Sequence, residues 1–183
     1  MITLSHERER KRLQNGPGDD RPAGVGTVVF DVSCTRVDAA TVLQRGKAVL
    51  EIVGAFTSDA WPSKNEWRDL LPDWFVAACA PEMTPEQADQ WLKRWEVMSP
   101  EEREEEERNQ QWSLADWLHW MKPTERKWLW WDSEVIEPTL ARVALEVESW
   151  PFPWGAFKWL MQAAGADDVF SEETDGGRHK VTS

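Results

Sequence analysis

A chain of 183 residues, 41% hydrophobic and 30% charged, holds enough apolar mass for one folded core, which excludes wholesale disorder. Its net charge of −12 repels nucleic-acid phosphate and acidic membrane surfaces, so direct DNA or RNA binding and membrane association are not expected, and a basic protein partner is favoured. With only two cysteines and no apolar run near the roughly 18 residues of a bilayer-spanning helix, neither a disulfide framework nor a membrane span is expected.

Residues 1–24 join the cluster HERERKR to NGPGDDRPAG, a composition that reads as a disordered leader. The charged start lacks the apolar stretch of a secretory signal, which points to the cytoplasm. Val28, Phe30 and Val32 then alternate and suit one short strand. No second strand is evident from the pattern.

Helical signals dominate the rest of the chain. Val42, Leu43, Gly46, Val49, Leu50, Val53 and Phe56 place one stripe along a helix over residues 39–56. Pro62, Pro72 and Pro81 cut the next stretch into two short helices packed by Trp61, Trp67, Trp74 and Phe75. Two helix starts then resemble each other: Thr84-Pro85-Glu86-Gln87 and Ser99-Pro100-Glu101-Glu102 each supply a hydroxyl cap, a proline and a capping-box partner. The first carries Ala88, Trp91, Leu92, Trp95 and Met98 on one face, which assigns it to the core. The second continues as EEREEEERNQQ, with no apolar residue to bury.

Ser113 caps a helix bearing Leu114, Trp117, Leu118 and Met121. Thr124 can cap another, ERKWLWWD, on which Trp128 and Trp131 lie about 60° apart while Trp130 points the other way. Leu140, Val143, Ala144 and Val147 form a stripe after Pro138. Trp154, Phe157, Leu160, Met161 and Ala164 form a last one before Gly165, with Trp159 off it. Residues 166–183 read as a disordered acidic tail. The expected fold is mostly α, an all-α tryptophan-rich domain over residues 25–165: an irregular compact bundle of about six to eight short helices with at most one short N-terminal strand.

The aromatic composition is unusual: 14 Trp, 6 Phe and no Tyr. Each buried aromatic removes roughly 150 to 250 Å² from water, about 4 to 6 kcal/mol gross, so a few of them dominate a small core. Trp120, Trp130 and Trp159 fall off the main stripes. They form either a second packed layer or an exposed aromatic surface that binds a partner.

Catalytic candidates are few. His119 is the one histidine outside the two tails, and Asp116 stands three residues before it, so an Asp-x-x-His pair could orient an imidazole. The plain alternative is a structural His–Asp hydrogen bond on a helix flank. No further histidine joins them, so no metal is expected, and no glycine-rich loop lies between a strand and a helix, so no cofactor is expected either. Cys79, set among small apolar residues, reads as an inert thiol, and Cys34 lacks a partner for redox exchange. The acidic run Glu101, Glu102, Glu104, Glu105, Glu106 and Glu107 is either a solvated helix face or a docking surface for a cation-rich partner.

These features add up to a small acidic cytoplasmic interaction module, an adaptor, regulator or inhibitor of the immunity-protein kind, binding a protein partner for which a basic surface is one option. The alternative is a small-molecule binder or enzyme with a tryptophan-lined pocket using Asp116 and His119, with Glu134 or Glu137 in support.

Overall fold

Residues 140–147 satisfy two periods at once. Leu140, Val143, Ala144 and Val147 recur at helical intervals, yet Ala141, Val143, Leu145 and Val147 alternate, and only a partner decides between the two. In the structure, a computed structural model describing residues 5–109 and 111–171, the alternation wins. Strand β2 (Trp128–Glu137) and strand β3 (Leu140–Val147) form an antiparallel hairpin closed at Glu137 and Leu140, leaving Pro138 and Thr139 as the turn. β3 also pairs antiparallel with β1 (Gly26–Ser33), and β1 with the short β4 (Asp168–Phe170), giving the order β2-β3-β1-β4.

The expectation of a mostly α bundle with one short strand is thereby overturned. Eight α-helices among the described residues accompany a four-stranded antiparallel sheet, with 49% of those residues helical and 19% in strands. The helices read at ERKWLWWD and after Pro138 are strands. On β2, Trp128 and Trp130 share one face, as period two requires, and both are buried.

That face is the core. Val28, Phe30 and Val32 of β1 join Ala141, Val143, Leu145 and Val147 of β3 on it. Helices α2 (Ala39–Val53) and α8 (Gly155–Ala164) pack across it and against each other. Phe157 of α8 meets Phe30 at 5.2 Å and Trp128 at 5.5 Å, edge and tilted contacts of the favourable kind. Behind α8 lie α4 (Asp73–Ala78) and α7 (Leu114–Met121), where Phe75 and Trp117 touch at 4.6 Å. The indole N–H of Trp117 donates to the carbonyl of Ala156 at 3.0 Å, satisfying the ring's one polar group. Helix α3 (Lys64–Leu70) adds Trp67, clasped by Phe56 and Trp61.

The segment read as a disordered leader contains α1 (His6–Asn15), capped by Ser5, with Glu9, Arg12 and Leu13 buried. Its charged residues conceal the reason. β2 is an edge strand, and Glu9 accepts a hydrogen bond from the Trp130 N–H at 2.7 Å while Arg12 donates to the Trp130 carbonyl at 3.1 Å. Two side chains one helical turn apart thus occupy the place of a fifth strand. Each is matched in turn: Glu9 by Arg126, and Arg12 by Glu146 at 2.7 Å. The charges that look like a solvated tail in the sequence are an internal network. β4 likewise falls in the stretch read as a C-terminal tail, and the rest of that stretch, residues 172–183, lies outside the described residues.

Candidate docking surface

Helix α5 (Pro85–Val97) starts on a full capping box: Thr84 Oγ1 accepts from the Gln87 N–H at 3.2 Å, and Gln87 Oε1 accepts from the Thr84 N–H at 2.9 Å. Helix α6 (Pro100–Asn109) starts the same way at Ser99 and Glu102. Both starts match the sequence reading, because caps are local chemistry. The pair is tied together by Arg94–Glu106 at 2.8 Å and by Arg103, whose Nε donates to the Trp95 carbonyl at 3.1 Å with its guanidinium over the Trp95 ring.

The assignment of α5 to the core does not hold. None of its residues is buried. Trp91 and Trp95 stack on each other at 5.1 Å and are only half covered, Leu92 is 54% exposed, and Met83 in the preceding loop is exposed. An amphipathic stripe states that a helix has an apolar side. It does not state that the partner belongs to the same chain.

Between α5 and the first turn of α7 runs a groove of about 530 Å³. Met83, Ala88, Trp91 and Ala115 line it, with the carboxylates of Glu82, Asp116 and the Arg94-paired Glu106. Glu101, Glu104 and Glu105 project from α6 into solvent, whereas Glu102 is spent on its cap and Glu106 on Arg94. The side chain of Glu107 lies outside the described residues.

The remaining candidates scatter. Trp130 is buried beside Phe157, and Trp159 is buried on α8, so neither contributes to an exposed aromatic patch. Trp120 is 38% exposed, edge-on to His119 at 5.6 Å. Ser113 caps the helix, its Oγ accepting from the Asp116 N–H at 3.1 Å and donating to Asp116 Oδ2 at 2.7 Å, and no hydrogen bond joins Asp116 to His119 among the described residues. The solvent-exposed His119 and the cap-bound Asp116 are therefore not arranged as an acid–base pair. Glu134 lies 3.8 Å from Arg142 on the outer face of the sheet, and Glu137 stands in solvent beside the hairpin turn. Burial pushes the Cys79 thiol up to about 11, the direction of an inert sulfur, and the buried Cys34 thiol is raised as well. Among the described residues, no group of three or more metal-ligating side chains is present and no helix is long and apolar enough to cross a membrane.

Trp91 and Trp95 are what the sequence reading missed as surface residues. Their one distinguishing signal was position, immediately before an acidic run that cannot cover them. Comparison with family models, with curated proteins and with solved structures found no match to the chain.

Proposed function

We propose that this protein is an interaction module that seats a cationic segment of a protein partner on α5 and α6, with an apolar anchor in the groove beside Trp91. One observation carries the reading: a 13-residue amphipathic helix, firmly capped, that buries none of its residues. Such a face, with carboxylates around it, suits an amphipathic basic helix laid into a groove. Aromatic anchors supply the affinity and the surrounding charge supplies the rate and orientation of approach. The two cysteines, both free thiols, fit a cytoplasmic setting for this encounter.

The reading is tested with a synthetic amphipathic Leu/Lys helical peptide, titrated while intrinsic indole emission is followed. Binding should weaken by about tenfold or more between 50 and 300 mM salt, since the Debye length contracts to well under 10 Å over that range. A Trp91→Ser, Trp95→Ser variant should lose most of the affinity, and Glu101→Lys, Glu104→Lys, Glu105→Lys should lose its salt dependence. Native affinity in both variants would end the proposal.

A further inference from the structure

The edge of β2 is capped by α1 only as far as Trp130, and the half beyond it is open. The phase of the ladder fixes which backbone groups face outward. The Cys34 N–H donates to the Thr139 carbonyl, so alternate residues of β3 from Ala141 to Val147 turn their amides toward β1. Leu140, Arg142, Ala144 and Glu146 are left to bond β2, and their partners there are Glu137, Glu134, Asp132 and Leu129. Trp130, Ser133 and Val135 therefore point theirs away from the sheet. Glu9 and Arg12 confirm this at Trp130. At Ser133 the N–H turns out to its neighbour's carboxylate, Asp132 Oδ1, at 2.8 Å.

Among the described residues, nothing outside the ladder bonds the Ser133 carbonyl or either backbone group of Val135. Val135 is 48% exposed and Ile136 42%. Alongside this edge lies a groove of about 570 Å³ lined by Leu13, Leu43 and Ala48, with Lys47 and Glu51 also on its α2 side and Ser133 and Val135 on its β2 side. The Ser133 hydroxyl oxygen is buried there without a hydrogen-bond partner. Outward backbone groups that are free at Val135 and at the Ser133 carbonyl, and tied only to a neighbouring side chain at the Ser133 N–H, beside a partly apolar trough, are the geometry that takes up an added strand.

We infer that the distal half of β2, at Ser133 and Val135, accepts an extended cationic segment of a partner as a fifth strand in the groove between β2 and α2. Charge selects this occupant. Asp132 and Glu134 are exposed and flank Ser133, so a second copy pairing edge to edge would bring these carboxylates against their own counterparts. A segment alternating basic and apolar residues instead sets its cations over Asp132 and Glu134 and its apolar side chains over Leu43 and Ala48. The site is separate from α5 and does not rest on the reading of that helix.

The probe is a blocked octapeptide of alternating Lys and Val, added to the full chain at low salt and followed by amide resonances and calorimetry. Saturable binding is expected, with the Ser133 and Val135 amides shifted and Val135 protected from exchange. Val135→Pro removes an outward N–H at a position where an edge strand tolerates proline, and should weaken binding about tenfold or more. The same peptide methylated at alternate backbone nitrogens should lose binding to the native chain, which decides the matter even where the proline variant fails to fold. Trp91→Ser, Trp95→Ser should leave this binding unchanged while removing most of the affinity for the helical peptide. Undiminished binding of the methylated peptide, shifts confined to α5, or concentration-dependent dimerisation of the unliganded chain through β2 would each overturn the inference.

Discussion

At Glu9 the protein holds a carboxylate with no water against it. Burial alone would raise its pKa, but the Arg126 guanidinium, the nearby His6 and the Trp130 N–H outweigh that penalty and hold it below its ordinary 4.5. A carboxyl depressed on folding adds stability above its unfolded value and loses it as pH falls through the folded one. Urea unfolding should therefore show a midpoint that declines below about pH 4.5, with Glu9 contributing to the slope. Replacing Glu9 by Ala leaves Arg126 as an uncompensated internal charge, at a cost of about 3 to 5 kcal/mol, while Glu9→Leu with Arg126→Met should recover most of that loss. Recovery no better than the single variant would show that the pair is needed as such. Cys79 offers a second test at this scale. With its thiol raised to about 11, roughly one molecule in a thousand carries a thiolate at pH 8, so iodoacetamide should label the native protein far more slowly than the urea-unfolded chain.

Among the elements, those specified by adjacent residues were legible in the sequence and those specified by a distant strand were not. The start of α5 follows from Thr84, Pro85 and Gln87, which are neighbours; α2, α7 and α8 follow from stripes that nothing contradicts. β3 carries both periods, and what decides between them is β1, more than a hundred residues away, whose Val28 and Phe30 stand opposite Leu145 and Val143. β2 was obscured by its β-bulge at Trp131, which breaks the alternation after Trp130 and makes the run of aromatics resemble a two-sided helix. Of the candidate site, the acidic face of α6 was readable, whereas the openness of α5 was not, because a stripe is silent about what covers it. This difference has a measurable consequence. Trp91→Ser should change global stability by less than about 1 kcal/mol, whereas Trp117→Ser, in the core behind α8, should cost about 3 to 5 kcal/mol. Amides of α5 and α6 should exchange well ahead of those of β3, whose opening requires the whole sheet.

For the molecule as a whole, the sheet has two edges, and the chain protects each with a segment that reads as dispensable. β4 shields the end of β1, and α1 shields the start of β2. A true leader could be removed at no cost. Removing α1 takes away both partners of a buried network at once: Arg126 loses Glu9, Glu146 loses Arg12, and the Trp130 N–H and carbonyl lose their surrogate strand. Loss of the turn at Gly24, where a Cβ would collide with the Val147 carbonyl, also frees the entry to β1. The uncovered edge carries Trp128 and Trp130, two strongly β-forming residues, beside the open Ser133 and Val135. A chain beginning at residue 26 should therefore lose its sharp unfolding transition and associate with rising concentration, as read by light scattering coupled to size exclusion. A separately supplied peptide of residues 1–25 should restore the monomer, and the Glu9→Ala, Arg12→Ala version of that peptide should not. A truncated chain that stays monomeric with native stability would mean that α1 rests on the edge without guarding it.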